Sequence, residues 1–275
     1  YMSKGYVPLR EQYDNSVSHA LEYYIADFAL SRFAAALGKK KDAEMFYKRS
    51  LGYKHYYSKE FGTFRPILPD GTFYSPFNPR QGENFEPNPG FHEGSSWNYT
   101  FYVPHDVYGL AKLMGGKKPF IDKLQMVFDE GLYDPANEPD IAYAHLFSYF
   151  KGEEWRTQKE TQRLLDKYFT TKPDGIPGND DTGTMSSWAI FNMIGFYPDC
   201  PGLPEYTLTT PVFNKVTIRL DPKWYKENEL VIETNRTQPG ALYIDKVLLN
   251  GKKFNKYHIT HDELVHGKYL KFDLK

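Results

Sequence analysis

The spacing of apolar residues predicts helices over most of the chain up to Gly195. Apolar side chains recur every three or four residues between 17 and 37, with Asn15 and Ser16 as capping candidates and Gly38 as a stop signal. A short connection makes the next apolar pattern, at 41–57, its antiparallel neighbour. The same reasoning predicts five further helices, at 97–114, 119–129, 140–150, 154–169 and 184–195. The last of these is apolar nearly all round, which is typical of a buried helix.

A second pattern, of short apolar segments between turn residues, follows in the C-terminal part of the chain. The segments VTIRL, ELVIETN, ALYIDKVLLNGKKF and YLKFDLK alternate or run apolar in the manner of β-strands. Asn250-Gly251 is a strong signal for a hairpin turn. We therefore predict a mainly α chain, with a helical portion at 1–204 that carries the candidate catalytic residues and a β module at 205–275.

The predicted helices form antiparallel pairs, but they are too few to close a ring of helical pairs on their own. Either a further portion precedes them in the full protein, or they form a plain helical bundle. Tyr1 opens the chain without the charged and apolar regions of a signal peptide, so we expect a fragment or a processed chain. A stretch rich in glycine and proline that ends near Gly90 is predicted to be a long surface or active-site loop.

Charge and composition narrow the classes of partner. The 34 basic and 35 acidic side chains nearly cancel, which favours neither nucleic acid nor an anionic membrane. Cys200 is the only cysteine of this sequence, which permits no intramolecular disulfide, and no apolar run is long enough to span a bilayer. Aromatic residues make up 17% of a chain whose other side chains are largely polar, a mixture typical of sugar-binding pockets and also of ordinary aromatic cores.

Glu93 is the first of the acidic residues that no solvated helix face explains. It lies between Phe91 and Trp97 at a predicted loop-to-helix junction. Aromatic surroundings would remove the carboxylate from water and keep it protonated, which suits a general acid. The alternative is an ordinary first-turn acid stabilised by the helix dipole.

Asp180 and Asp181 lie in a glycine-bounded loop just before the last predicted helix. The exposed amides at the start of that helix would stabilise an ionised carboxylate, which suits a general base. The alternative is a helix-capping acid beside a tight turn, because aspartate is a favoured cap.

A third acidic stretch, DPANEP, contains Asn137 and Glu138, with Asp134 and Asp140 nearby. Oxygen donors of this kind suit calcium, although the spacing is not that of an EF-hand and a proline-bounded turn explains it equally well. The histidines and Cys200 match no zinc spacing, and the sequence has no nucleotide-binding glycine motif. Two separate carboxyl loci without a cofactor motif favour glycoside hydrolysis, in which the distance between acid and base decides between inversion and retention.

Several long segments occur here in the order in which one enzyme family has them. They are HEGSSWNYTFYVPHD, GLAKLMGG, NEPDIAY, WRTQ, PDGIPGNDDTGTMSSWAIFNMIGFYPDCPGLPEY and VFNKVTI. The set resembles glycoside hydrolase family 92, the calcium-dependent exo-acting α-mannosidases, and extends over nearly the whole chain. The resemblance implies part of an (α/α)6 barrel, preceded in the full protein by an N-terminal β-sandwich that completes the sugar pocket.

The resemblance also implies roles for individual residues. Glu93 becomes the general acid, and the acidic loop supplies the base, with Asp181 first and Asp180 as the alternate. Some members have an acid two places before the second aspartate, where this chain has Asn179. The remaining implied residues are Asn137 and Glu138 as calcium ligands, and His92 and Trp97 as substrate contacts.

The function expected from the resemblance is hydrolysis of terminal α-mannose, with the α-1,2 linkage preferred, from glycans with inversion and with calcium (Ca2+) assistance. The expected partners are a mannose-containing glycan and the N-terminal β-sandwich of the same protein, and the expected location is periplasmic, cell-surface or secreted. A non-catalytic sugar-binding or structural fragment is the alternative.

Overall fold

A computed structural model describes residues 1–10, 14–82 and 88–275. The chain forms two compact units. The first comprises Tyr1–Tyr143 and Cys200–Leu203, and the second comprises Ala144–Asp199 and Pro204–Lys275. The domain boundary expected at 204 separates a mainly helical segment from a mainly β segment, and it does not coincide with the division into these two compact units. It stays a prediction. The mixture of many helices with fewer strands confirms the mainly α class.

The first unit is built on a long helical hairpin followed by shorter helices. Val17, Leu21 and Tyr24 on the first helix are fully buried, which explains the apolar spacing that predicted it. Strands β1 and β2 pair antiparallel after the hairpin. The elements of this unit are α1 (Ser16–Ala36), α2 (Lys40–Ser50), β1 (Tyr57–Ser58), β2 (Thr63–Phe64), α3 (Ser96–Thr100), α4 (Val107–Leu113) and α5 (Lys117–Asp129).

The single helix expected at 97–114 is wrong, because it is broken into α3, a 3-10 turn at Pro104–Asp106 and α4. Proline lacks an amide hydrogen and its ring restricts the preceding residue. Val103 accordingly adopts φ −136° and ψ 57°, outside the helical region. The helix expected at 140–150 is also replaced, by 3-10 segments at Glu138–Asp140 and Tyr143–Tyr149.

The second unit combines three α-helices with two sheets. A five-stranded sheet has the order β5-β6-β10-β7-β8, in which only β6 and β10 run parallel, and a three-stranded antiparallel sheet has the order β3-β4-β9. Its elements are α6 (Glu154–Tyr168), α7 (Thr184–Ile194), β3 (Phe196–Tyr197), β4 (Glu205–Leu208), β5 (Lys215–Arg219), β6 (Glu229–Arg236), β7 (Ile244–Leu249), β8 (Lys252–Phe254), β9 (His258–Thr260), α8 (His261–His266) and β10 (Tyr269–Leu274).

Two expectations for this unit have different outcomes. The hairpin at Asn250-Gly251 is confirmed, since both residues have positive φ and Leu249 pairs with Lys252 across the turn. The prediction that the helix at 184–195 is buried is wrong in part, because Ile190 on α7 is 57% exposed. Among the residues described, no helix is long and apolar enough to cross a membrane.

Candidate active site

Glu93 stands on a tight loop just before α3. Ser95 caps this helix, accepting a hydrogen bond from Trp97 N at 3.2 Å, and Asn98 Oδ1 accepts one from Ser95 N at 2.8 Å. Glu93 therefore precedes the cap by two residues and has φ 49°. The alternative that placed it in the first helical turn is wrong.

The Glu93 side chain is exposed rather than enclosed by its aromatic neighbours. Phe91 and Trp97 are themselves buried in the first unit, whereas the Glu93 side chain is 59% exposed. His92 lies beside it, with Nε2 at 3.5 Å from Glu93 Oε1. The expectation that flanking aromatics alone would remove this carboxylate from water is therefore wrong, and its oxygens are accessible to a ligand.

The backbone around Glu93 is held from several directions. His92 N donates to Ser18 Oγ at 2.9 Å, and His92 O accepts from Tyr99 Oη at 2.6 Å. Asn15 Nδ2 lies 3.2 Å from His92 Nδ1. These contacts hold the backbone of the Glu93 loop against α1 on one side and α3 on the other. The position of Glu93 therefore does not depend on its own side chain.

Residues 137–139 form a turn, named here the NEP turn. Asn137 connects the NEP turn to this loop, because its Nδ2 donates to Glu93 O at 2.6 Å. The Asn137 side chain is buried. The structure thus brings together two motifs that lie 44 residues apart in the sequence. The roles of Glu93 as acid and of Asn137 as ligand stay predictions.

Asp140 ties the NEP turn to α3 from the inside. Its Oδ2 accepts from Asn98 Nδ2 at 2.9 Å and from Asp134 N at 2.7 Å, and the residue is fully buried. Burial raises the pKa of Asp140 well above its usual range, although both hydrogen bonds lower it. Asp140, which the sequence places near the predicted calcium ligands, thus binds the scaffold through its side chain.

The NEP turn offers a partial ligand set for a cation. Glu138 Oε1 is buried and has no hydrogen-bond partner in the described part of the chain. In residues 1–10, 14–82 and 88–275, no group of three or more histidine, cysteine or acidic side chains could hold a metal ion. Calcium also accepts amide, carbonyl and water oxygens, so the donors of Asn137 and Glu138 fit part of a calcium site.

Trp97 is buried in the first unit, where Lys123 Nζ lies 5.7 Å from the centre of its ring. Its carbonyl accepts a hydrogen bond from Tyr143 Oη at 3.0 Å. Trp97 therefore packs beneath the Glu93 loop, and substrate contact by Trp97 or His92 stays a prediction.

In the second unit, the carboxylate of Asp180 binds the first turn of helix α7, whose N-cap residue is Gly183. Its Oδ2 accepts from Ser186 Oγ at 2.6 Å and its Oδ1 from Ser186 N at 2.8 Å. The Ser186 hydroxyl and then the Ser186 amide lower the pKa of Asp180 below its usual value. Asp180 therefore stabilises the first turn of α7 from outside its N-cap position, and the capping alternative stays a prediction.

Asp181 differs from its neighbour because its carboxylate is exposed and makes no hydrogen bond within the described residues. Its carbonyl accepts from Thr182 Oγ1 at 2.6 Å and from Thr184 Oγ1 at 2.7 Å. Asp181 has φ 27° and the β-branched Thr182 has φ 58°, a costly conformation for such side chains.

Positive φ angles at residues other than glycine concentrate at the two acidic loops. Within the described ranges such angles occur at Glu93, Asp181, Thr182 and Asn250. The hairpin explains Asn250, while the other three lie at the proposed acid and base. Strained backbone clusters at functional sites, so this observation supports both loops independently of any motif.

The model of the glycosyl hydrolase family 92 catalytic domain matches residues 1–275. The chain belongs to glycosyl hydrolase family 92. This confirms the resemblance found in the sequence, and the match leaves no part of the chain outside the family's catalytic domain.

Two solved family 92 structures are similar to the chain over almost its whole length. An α-mannosidase from Bacteroides thetaiotaomicron in complex with mannoimidazole is 32% identical, with a TM-score of 0.90, and the match covers 98% of this chain and 37% of that chain. An inverting mannosidase from Bacteroides thetaiotaomicron VPI-5482 is 32% identical, with a TM-score of 0.88, and the match covers 100% of this chain and 39% of that chain.

A curated relative, an uncharacterized secreted glycosidase from Arthroderma benhamiae, is 26% identical over 300 residues. The match covers 100% of this chain and 38% of the relative. The chain thus spans about two fifths of the length of the family 92 proteins it matches.

Proposed function

We propose that this chain carries the catalytic acid and base of an exo-acting α-mannosidase that removes terminal α-linked mannose, preferentially α-1,2-linked, from glycans. The observation that carries the proposal is the exposed carboxylate of Glu93, held on a positive-φ loop within a family 92 catalytic domain. The similar structures of an α-mannosidase with mannoimidazole and of an inverting mannosidase support the choice of sugar and of mechanism.

In the proposed reaction, Glu93 protonates the departing glycosidic oxygen while Asp181 removes a proton from the attacking water. A single displacement of this kind inverts the configuration of the sugar. Asp181 is the first candidate for the base because its carboxylate makes no hydrogen bond within the described residues. Both carboxylate oxygens of Asp180 accept hydrogen bonds from Ser186. Asp180 is the alternate.

Calcium is part of the proposal, with Asn137 and Glu138 as ligands from this chain. A bound calcium ion would act as a Lewis acid toward sugar hydroxyl groups. The buried, unpartnered Oε1 of Glu138 supports this assignment. Calorimetry with calcium alone tests it, since Glu138→Gln should weaken calcium binding by the full-length protein.

The remaining length of the relatives supports a partner for this chain within one polypeptide. We propose that the helices form part of an (α/α)6 barrel and that an N-terminal β-sandwich completes the sugar pocket. The secreted description of the fungal relative supports a secreted, periplasmic or cell-surface location.

Replacing Glu93 with glutamine in the full-length protein tests the proposed acid. Turnover of a mannoside with a poor leaving group should fall by about 10²- to 10⁴-fold, because general acid catalysis contributes that much. Binding of mannoimidazole should be retained. Glu44→Gln, an exposed substitution on α2, is the matched control and should have no effect. Unchanged turnover in Glu93→Gln would remove this residue from the role.

The anomer formed first tests the mechanism. Proton NMR of the early reaction should show β-mannose if the displacement inverts, and an initial α-anomer would contradict it. Calcium-dependent binding of a mannoside by the wild-type protein without hydrolysis would instead favour the alternative, a sugar-binding or structural portion of such an enzyme.

A further inference from the structure

One face of α1 follows the loop that carries Glu93. Asn15 and Ser18 contact His92 through its ring and its amide nitrogen, respectively. Residues 15, 18 and 22 are separated by three and then four positions, a spacing that places side chains on one side of a helix. Glu22 is therefore the next side chain along the face of α1 that meets this loop.

Glu22 is also connected to Glu93 through two tyrosines of the α3 region. Tyr102 Oη donates to Glu22 Oε1 at 2.9 Å. The rings of Tyr102 and Tyr99 meet edge to face with centroids 6.4 Å apart, and Tyr99 Oη donates to the carbonyl of His92 at 2.6 Å. A continuous set of contacts thus joins the Glu22 carboxylate to the residue before Glu93.

Acidic groups lie along this face, where His92 is a basic neighbour of Glu93 at 3.5 Å. No lysine or arginine of the described residues forms an ion pair with Glu22, Glu93 or Glu138. Partial burial raises the pKa of Glu22 above its usual value, and the Glu138 carboxylate raises this pKa further. The Tyr102 hydrogen bond and His19 lower it by less in total. The charges of Glu22 and Glu138 therefore interact, and Asn137, the neighbour of Glu138, contacts the Glu93 backbone. A ligand rich in hydrogen-bond donors would stabilise these carboxylates.

We propose that Glu22 is a substrate-binding residue that accepts hydrogen bonds from hydroxyl groups of the mannosyl residue. The inference rests on the proposed function, because it names a further contact in that same site. Tyr102 fixes one oxygen of Glu22 and leaves the exposed carboxylate able to accept further hydrogen bonds. We assign Glu22 to sugar hydroxyl groups, and the calcium measurement below distinguishes this role from cation binding.

Glu22→Gln in the full-length protein tests the inference. Hydrogen bonds to a charged group contribute enough to change affinity by about 10- to 100-fold. We expect KM for the mannoside and Kd for mannoimidazole to rise by that factor with kcat nearly unchanged, because contacts made equally in the ground and transition states affect KM. Calcium affinity, measured by calorimetry without sugar, should stay at the wild-type value.

Two further variants control for folding and charge. Tyr102→Phe keeps the ring but frees the Glu22 carboxylate, so it should weaken mannoimidazole binding by a smaller, several-fold factor. Glu44→Gln removes an exposed carboxylate from α2 and should leave kinetics and binding unchanged. Thermal unfolding of each variant shows whether the fold is retained.

Three outcomes would overturn the inference. Wild-type binding of mannoimidazole by Glu22→Gln would exclude a sugar contact, a parallel loss of calcium affinity would make Glu22 a cation ligand, and a fall in kcat alone would indicate a different role. Absence of mannoside binding and hydrolysis in the wild-type protein would contradict the proposed function itself. The two failures are therefore distinguishable.

Discussion

Asp180 and Asp181 are adjacent, but their side chains have different surroundings. Both oxygens of Asp180 accept hydrogen bonds from Ser186, whereas the carboxylate of Asp181 is exposed on a strained backbone. A carboxylate that binds the first turn stabilises the helix terminus, while a free carboxylate can accept a proton from water. The same residue type therefore supports a structural role at one position and a catalytic role at the next.

Exchanging each aspartate for asparagine in the full-length protein separates these roles. Asp181→Asn should lower kcat by about 10²- to 10⁴-fold with little change in thermal stability, because it removes the proposed base without removing a contact. Asp180→Asn should lower the midpoint of thermal unfolding and affect kcat less. The reverse pattern, with kcat lost only in Asp180→Asn, would assign the base to Asp180.

The pKa of Asp180 predicts how its stabilising effect depends on pH. Because the Ser186 hydrogen bonds lower this pKa in the folded state, the effect is fully present above the unfolded value of about 3.9 and is lost as the pH falls through the folded pKa. Urea unfolding of the wild type and Asp180→Asn should therefore differ near neutrality and converge in acid. A difference that widens on acidification would contradict this origin. Ser186→Ala should reproduce part of the effect, because it removes the hydroxyl hydrogen bond and keeps the amide one.

At the level of elements, the short helix α3 depends on one buried asparagine. Asn98 accepts from Ser95 through Oδ1, and its Nδ2 donates to Leu132 O at 3.1 Å and to Asp140 Oδ2 at 2.9 Å. A five-residue helix has little stability of its own. Asn98 therefore holds α3, the NEP turn and the cap beside Glu93 in one arrangement.

Asn98→Ala should reduce the free energy of unfolding by roughly 2–4 kcal/mol, since it removes a cap and leaves buried partners unsatisfied. Asn235→Ala is a matched control, because both asparagines begin an Asn-X-Thr sequence but Asn235 is exposed. Chemical denaturation should show a change below about 0.5 kcal/mol for the control. Equal effects of the two substitutions would show that Asn98 does not hold these elements together.

Periodicity was sufficient to predict the long elements but not the contacts that form the site. The apolar spacing of α1 and α6 predicted both helices to within two residues, because burial of one face decides their formation. Thr260 and Glu263 form a capping box at the start of α8. This local signal is present in the sequence, although apolar spacing does not reveal it. The hydrogen bond from Asn137 to Glu93 spans 44 positions, and no local pattern encodes such a separation.

For the candidate site as well, local sequence predicted the placement of residues but not their contacts. The motif placed Glu93, Asp180 and Asp181 on loops next to helices, which the structure shows. The exposure of Glu93 and the occupied oxygens of Asp180 depend on neighbouring backbone geometry that residue types do not reveal. Glu22 gave no signal at all, because an isolated acid on an apolar helix looks like any solvated residue.

At the level of the whole molecule, the first helix has more apolar surface than the first unit covers. A stripe on α1 stays exposed beside the buried face. Its members are spaced for one side of a helix, and a helix that is apolar all round is typical of a buried position. The members are Tyr23, Leu30, Phe33 and Leu37. Because the relatives are more than twice as long, we expect further residues of the full-length protein to cover this stripe.

Phe33→Ser tests this expectation by comparing the 275-residue chain with the full-length protein. Phe33 is 62% exposed here, so the substitution should change the stability of the 275-residue chain by no more than about 0.5 kcal/mol. If the stripe is covered in the full-length protein, the same change should cost roughly 3–5 kcal/mol there, as truncation of a buried phenylalanine does. Trp224→Ser, at a position 72% exposed on a loop of the second unit, should be nearly neutral in both. Equal, small effects of Phe33→Ser in the two proteins would show that α1 presents this stripe to solvent in the complete enzyme.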